Sequence, residues 1–292
     1  MGMWETIAEA LTASTGLRFY PQRRSPIGGG CINQAHRLQG EGVDAFVKLN
    51  SADQLEMFAA EAEGLKELAA ANAIRVPEPI TWGKVEGHSF LALEYLELGG
   101  RLDPQRLGLQ LAELHRRYGE HFGWHRDNTI GATPQVNTPS GDWIQFWRDH
   151  RLGYQLELAE SNGHRGRLQE QGQALLEALP AFFDGYDPWP SLLHGDLWGG
   201  NCDADREGQP VLYDPAVYYG DREADLAMTE LFGGFGSRFF DAYHEAYPID
   251  PGYSVRKDLY NLYHVLNHLN LFGGGYGSQA ERMATRLLAE VR

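Results

Sequence analysis

The chain has 292 residues, of which 42% are hydrophobic and 22% charged, and its formal net charge is −15. That length suits two lobes better than one compact domain, and the composition allows a sizeable core and excludes wholesale disorder. A field of that sign repels phosphate backbones and anionic lipid, which sets nucleic acid and membrane aside as partners but suits a small cationic substrate.

The opening stretch, MWETIAEALT, reads as an amphipathic helix and not as a signal peptide. It also fits the short myristoylation pattern M-G-x-x-x-T, against which the bulky Trp4 and the acidic Glu5 argue. Residues 25–50 follow as strand, glycine-rich turn and strand, with a polar turn at 40–42. Residues 51–71 predict a helix with Ser51 or Asp53 as its N-cap. Residues 76–98 return to strand, turning at Glu86-Gly87. The helix predicted over 103–122 has Asp103 as N-cap and Pro104 at its first position. Residues 141–182 are helical and rich in aromatic residues, 192–214 give short strands and a loop, and the rest is mostly helix. No apolar run approaches the roughly 20 residues that span a bilayer. Two cysteines, Cys31 and Cys202, make no disulfide framework, so a reducing cytoplasm is expected. The fold class expected is α+β, a β-rich N-terminal lobe over 1–95 and a mostly helical C-terminal lobe over 96–292.

The chemistry gathers around HGDLWGGN, residues 194–201. Asp196 precedes Asn201 by the interval that separates the catalytic Asp and metal-binding Asn in H-R-D-L-x-x-x-N. A further acid, Asp214, follows a short strand in LYDPA. Two hard oxygen donors, Asn201 and Asp214, suit Mg²⁺, and Asp196 is left to handle a proton. Phosphoryl transfer also needs a cation on the nucleotide phosphates. Lys48 in DAFVKLN, on a strand after the glycine-rich turn, supplies one. Its partner is expected on the following helix. There Glu61 falls on the apolar face with Leu65 and Leu68, whereas Glu56, Glu63 and Glu67 lie opposite. A carboxylate on a buried stripe is costly unless paired, which selects Glu61. The turn holding Gly28, Gly29 and Gly30 would then lie over the phosphates, where backbone N–H groups can approach closely.

With these residues in place, the chain resembles the fructosamine-3-kinase, or ketosamine kinase, family, within the kinase-like group that includes aminoglycoside and choline kinases. The resemblance rests on GGGCINQAHRL, FVKLN, HFGWHRDNTIGATPQVNT, DWIQFWRDHRL, LLHGDLWGGN and YDPAVYYGDREADLAMTELFGGF, and covers nearly the whole chain. It implies a two-lobed protein-kinase-like fold and ATP- and Mg²⁺-dependent phosphorylation of O3 of a ketosamine, free or protein-bound, in the repair of glycated amines. It implies a nucleotide-binding lobe over 1–95 and a catalytic and substrate-binding lobe over 96–292. Carried over, Lys48 is the phosphate-binding lysine, Glu61 its helix partner, Asp196 the base, and Asn201 and Asp214 the metal ligands. Glu94, Tyr95 and Leu96 form the hinge that holds adenine through the backbone. The chain departs from the family pattern at Asp221, where His is expected, and at Gly200, where Ser is common. Family members with a cysteine at Cys31 can be redox sensitive, sometimes through an intersubunit disulfide, so a monomer and a homodimer are both open.

Other residues have blander readings. His194 is expected to support the loop by packing and hydrogen bonding. His264 and His268, four apart on a helix, lack the glutamate of H-E-x-x-H and are expected to pack, as are His121 and His125. Trp198, beside Asp196, is the candidate sugar-binding aromatic, while two of Trp143, Phe146 and Trp147 are expected in the core. Three rival readings remain. One is another small-molecule kinase of this fold, acting on an aminoglycoside, choline or a related amine alcohol. Another is a catalytically dead nucleotide-binding scaffold, which the intact Lys48, Asp196, Asn201 and Asp214 disfavour. The last is a metal-dependent hydrolase, which leaves Lys48 unexplained.

Overall fold

A computed structural model describes residues 2–28 and 33–291. In chain order the elements are α1 (Met3–Thr15), β1 (Pro21–Ile27), β2 (Gln34–Gly40), β3 (Val43–Ser51), α2 (Leu55–Ala70), β4 (Pro79–Val85), β5 (His88–Glu94), α3 (Pro104–Leu114), β6 (Asn128–Ile130), β7 (Thr133–Gln135), α4 (Trp143–Trp147), α5 (Gly153–Ser161), α6 (Arg167–Ala178), β8 (Ser191–Leu193), β9 (Cys202–Ala204), β10 (Pro210–Leu212), β11 (Tyr218–Gly220), α7 (Glu223–Leu231), α8 (Ser237–Ala246), α9 (Tyr253–Phe272) and α10 (Tyr276–Glu290). They fall into two compact units, Met1–Asp103 with Cys202–Pro215, and Pro104–Asn201 with Ala216–Arg292. Gly29, Gly30 and Cys31 lie outside the described residues.

The first unit is built on a five-stranded sheet in the order β1-β2-β3-β5-β4, antiparallel throughout. Alternation along β3 buries Val43, Ala45, Val47 and Leu49 in one cluster with Leu38, Phe90 and Ala92. Helix α1 adds Ile7 and Leu11 to that cluster. Lys48, one residue out of phase, projects from the opposite face of the strand. The β4–β5 turn is closed by Glu86 at φ 43 and Gly87 at φ 80, the paired positive φ of a two-residue hairpin turn. Residues 202–215 join this unit by backbone bonds. The amides of Gly99 and Gly100 both donate to the Ala204 carbonyl at 3.0 Å, and Leu212 donates to Arg75 at 2.9 Å. β9 and β10 pair with each other.

One expectation is corrected here. Neither Ser51 nor Asp53 caps α2. A 3₁₀ turn, Ala52–Gln54, precedes the helix, and Gln54 occupies the cap without a side-chain bond. The Ser51 hydroxyl donates instead to the Asp53 carboxylate at 2.5 Å.

The second unit is mostly helical, with two short antiparallel pairs, β6–β7 and β8–β11. Pro104 opens α3 as expected, but the helix stops at Leu114 and does not run on to 122. The chain beyond it is taken up by pairing with the approach to β8. Gly119 donates to the Pro190 carbonyl at 2.9 Å and Leu192 to that of Arg117 at 2.8 Å. Asp142 caps α4, accepting from the Gln145 amide at 2.9 Å. A single π-helical turn, Arg148–Leu152, separates α4 from α5. Trp143, Phe146 and Trp147 are all buried, so the whole trio is core and not only two of the three. Trp143 and Trp147 pack on Tyr260 of α9, at ring separations of 6.1 and 4.8 Å.

Candidate active site

In the first unit, Lys48 is buried and its ammonium donates to Glu61 Oε1 at 2.6 Å and also to Asp214 Oδ1. This is the pairing that the periodicity of α2 selected. Glu61 is nearly covered, whereas about half of the Asp214 side chain is exposed. Burial opposes the charge of Lys48, but Asp214 and Glu61 outweigh it and raise the lysine pKa, so the group is an ammonium. Burial pushes the Glu61 pKa up against the pull of Lys48. Formally one ammonium is shared by two carboxylates, leaving a negative excess that a cation would relieve. Asp214, just past β10, holds φ 55, a left-handed conformation that Asp tolerates better than most residues and that is stored at functional loops.

In the second unit, residues 194–201 form a loop held from beneath by one carboxylate. Asp225 of α7 accepts the His194 amide at 2.7 Å on Oδ2 and the Gly195 amide at 2.9 Å on Oδ1. Its Oδ2 also meets His115 Nε2 at 3.2 Å, and His115 Nδ1 lies 2.7 Å from the Tyr243 hydroxyl. Although burial raises a carboxyl pKa, these bonds hold Asp225 below its ordinary value, so it is the ionised clamp of the loop. Gly195 sits at φ 82, and a Cβ there would lie 2.0 Å from the Ala216 carbonyl oxygen, so only glycine fits. His194 is buried, and its Nδ1 accepts the Asp196 amide at 3.3 Å. That is the supporting role expected of it. Asn201 donates through Nδ2 to the Asp196 carbonyl at 2.9 Å and to its carboxylate at 3.0 Å. Of the Asn201 side-chain atoms, the amide oxygen is the hard donor of the kind a cation takes.

Sequence reasoning missed Asp225, His115 and Tyr243. The signal was present in READLAM. A carboxylate flanked by Ala224, Leu226 and Met228 on a helix buried all round must be paired, the same argument that selected Glu61. Asp221 and Glu223 are both buried. Asp221 accepts from the hydroxyls of Tyr260 at 2.5 Å and Tyr186 at 2.9 Å. Glu223 takes Arg256 on both oxygens, at 2.7 and 3.1 Å.

The remaining candidates fall as follows. Gly28 is exposed, and a Cβ on it would meet nothing within 4 Å. At the proposed hinge, the amide of Glu94 donates to Glu78 at 2.8 Å and that of Tyr95 to Asp44 at 3.2 Å, so both are already used within the first unit. The Glu94 carboxylate pairs with Arg75, and the Arg37 guanidinium lies 3.8 Å over the Tyr95 ring. Trp198 is 38% exposed. Cys202 is buried, and burial together with Asp203 pushes its thiol up to about 12, which makes it a poor nucleophile. His264 is buried and lowered to about 3 by burial, and His268 places Nδ1 2.8 Å from the His264 carbonyl. His121 and His125 are exposed and not packed away, though His125 stands edge-on to Trp124 at 4.3 Å. Among the described residues no cluster of three or more His, Cys, Asp or Glu side chains could hold a metal by itself, and no helix is long and apolar enough to cross a membrane.

These features have counterparts in known proteins. The sequence profile of the fructosamine kinase family matches residues 3–290. A Synechocystis sp. protein named as a probable ketoamine kinase is 50% identical over 288 residues, 98% of this chain and 97% of that one. This chain belongs to the fructosamine kinase family. Another member, the chloroplastic protein-ribulosamine 3-kinase of rice (Oryza sativa subsp. indica), is 46% identical over 260 residues, 88% of this chain and 76% of its own. A solved structure from Haemophilus somnus, described as a fructosamine-3-kinase candidate, superposes with a TM-score of 0.90 at 30% identity, covering 98% of each chain. Aminoglycoside phosphotransferase APH(4)-Ia, at 15% identity, shares the fold with a TM-score of 0.60 over 97% of this chain and 98% of its own. The fold is thus the α+β, two-lobed, protein-kinase-like one expected of a fructosamine kinase.

Proposed function

We propose that this fructosamine kinase family member transfers the γ-phosphoryl group of ATP to O3 of a ketosamine such as a ribulosamine or fructosamine, with Mg²⁺ as cofactor. The observation that carries the reading is the pair of constellations just described: Lys48 between Glu61 and Asp214, and Asp196 beside Asn201 on a loop clamped by Asp225. Residues 1–95 then serve mainly as the nucleotide-binding lobe and 96–292 as the catalytic and substrate lobe.

The donor chemistry fits a magnesium nucleotide. Asp214 and the side-chain oxygen of Asn201 are hard oxygen donors, and the excess carboxylate beside Lys48 suits a phosphate chain that arrives with a divalent cation. Mg²⁺, when bound, neutralises charge on the phosphates. Lys48 binds phosphate oxygens, and Glu61 holds the lysine extended for that purpose. The glycine-rich sequence at 28–30 is read as the segment over the same phosphates, because residues without a Cβ let backbone N–H groups approach closely. Since the amides of Glu94 and Tyr95 are already used, adenine would take its hydrogen bonds from Leu96 or from hinge carbonyls. Asp196 orients the attacking hydroxyl and accepts its proton as oxygen bonds to phosphorus and ADP departs. Asn201 fixes the Asp196 carboxylate in place meanwhile. Catalysis of this kind is mainly positioning and electrostatics.

The test is ATP consumption against a panel of ribulosamines, fructosamines and aminoglycosides, with the phosphorylated position read by NMR. The expected result is divalent-cation-dependent phosphate on O3 of a ketosamine. Phosphorylation of aminoglycosides alone, or substrate turnover without ATP, would overturn the reading.

A further inference from the structure

The sequence Leu-Phe-Gly-Gly occurs twice, at 231–234 and at 271–274. The first copy ends α7 and the second ends α9. In each, glycines with positive φ turn the chain away, Gly233 at 103° and Gly273 at 65°, and leave the phenylalanine on the surface. Phe232 is 41% exposed and Phe272 58%. The two rings flank His268, at centroid distances of 5.0 and 5.6 Å, and Tyr276 at the start of α10 meets the same imidazole at 5.2 Å. The bond between His268 Nδ1 and the His264 carbonyl fixes the ring that joins them.

The row of rings continues to the loop of Asp196. Trp198 meets Phe232 edge-on at 6.0 Å, and it too reaches the surface, at 38% exposure. Its indole lies over Gly200, where a Cβ would come within 2.3 Å of the ring. Trp198, Phe232, His268 and Phe272 therefore form one aromatic wall within the second unit, beginning two residues from the proposed base. An exposed row of large rings is unusual on a folded surface unless it binds something.

We infer that this wall is the subsite for the amine substituent of the ketosamine, and that Phe232 and Phe272 determine preference for amines carrying an aromatic or long apolar group. The inference rests on the ketosamine kinase reading. In such a substrate the sugar hydroxyl must reach Asp196, and the nitrogen at C1 carries the rest of the molecule away from it. That nitrogen is a secondary ammonium, and aromatic faces attract both a cation and the apolar chain beyond it. The net charge of −15 favours a cationic ligand. The wall touches Trp198 at one end, so it is continuous with the acceptor site.

The experiment compares two fructosamines, one made from benzylamine and one from methylamine, with the full-length protein and its variants Phe232→Ala, Phe272→Ala and Phe272→Tyr. The readout is the ratio of kcat/KM for the two substrates, which does not depend on the active fraction of a preparation. Wild type should prefer the benzylamine compound. Each alanine variant should lower that ratio by about fivefold or more, chiefly through KM for the benzylamine compound, and Phe272→Tyr should retain it. If wild type phosphorylates both compounds without preference, or the alanine variants leave the ratio within about twofold, the wall is not the amine subsite and the ketosamine kinase reading stands. If wild type phosphorylates neither these nor any other ketosamine, both readings fall together.

Discussion

Two residues define the loop at 194–201 more tightly than their size suggests. Gly195 is held at φ 82 against the Ala216 carbonyl, so Gly195→Ala must move backbone and not merely a side chain. We expect a loss of about 2 kcal/mol or more in urea denaturation, since left-handed strain and a backbone clash add. Asp196 lies at the opposite extreme, since its proposed role is chemical. Asp196→Ala should leave the fold intact and lower kcat by on the order of 10² to 10⁴. A variant within twofold of wild type in a steady-state assay would remove Asp196 from the role of base. Asp225 was legible in principle and Gly195 was not, because nothing in HGD announces a positive φ, whereas an acid inside a buried helix announces a partner.

At the scale of elements, α2 exists to carry one carboxylate to one strand. Its buried face, with Phe58, Ala62, Leu65 and Leu68, packs the helix so that Glu61 reaches Lys48. Glu61→Gln keeps the shape and a hydrogen-bond acceptor but removes a buried charge. Its stability should fall by about 1–3 kcal/mol, since the buried Lys48 ammonium keeps its desolvation cost and only Asp214 remains to offset it. KM for ATP should rise severalfold, because Lys48 is left to Asp214 alone. Thermal denaturation and steady-state kinetics on one preparation separate the two effects. The start of α2 and the end of α3 were the poorly legible parts. Ser51 and Asp53 look like caps in sequence, but they bond to each other, and α3 ends early because the chain after it is needed for pairing beside β8.

For the whole molecule, Glu223 in α7 and Asp221 just before it make stability depend on pH. Burial, then the neighbouring Asp221, push Glu223 up to about 7 from an ordinary 4.5, although Arg256 pulls it down. Burial likewise raises Asp221, against the hydroxyls of Tyr260 and Tyr186. Arg256 also serves Asp250 at 2.6 Å, and Arg222 donates to the Tyr243 hydroxyl and the Tyr247 carbonyl, so the positive charge here is divided. The folded state thus holds a proton that the unfolded chain has released between about pH 4.5 and 7. A raised carboxyl pKa contributes stability below the unfolded value and loses it as pH climbs through the folded one. Stability should fall across that window by on the order of 1–3 kcal/mol. Asp221→Asn removes the like charge while keeping an acceptor for the tyrosines. Its denaturation midpoint should vary less between pH 5 and 7.5 than that of wild type, and an unchanged slope would assign the effect to other groups.

The sequence by itself determined the order of elements, the α+β class and the family, and it singled out the candidate polar residues from Lys48 to Asp214. It could do so because helix and strand periodicity, glycine turns and the cost of burying a charge act locally. It also selected Glu61, since one helix face suffices for that choice. Only the tertiary structure decided that Asp214 shares the Lys48 ammonium, that Asp225 clamps the loop of Asp196, that Trp143, Phe146 and Trp147 are all core, and that two Leu-Phe-Gly-Gly turns bring their rings to one histidine. Each of these joins residues distant in the chain, and such contacts depend on how elements pack, which no local pattern of residues encodes.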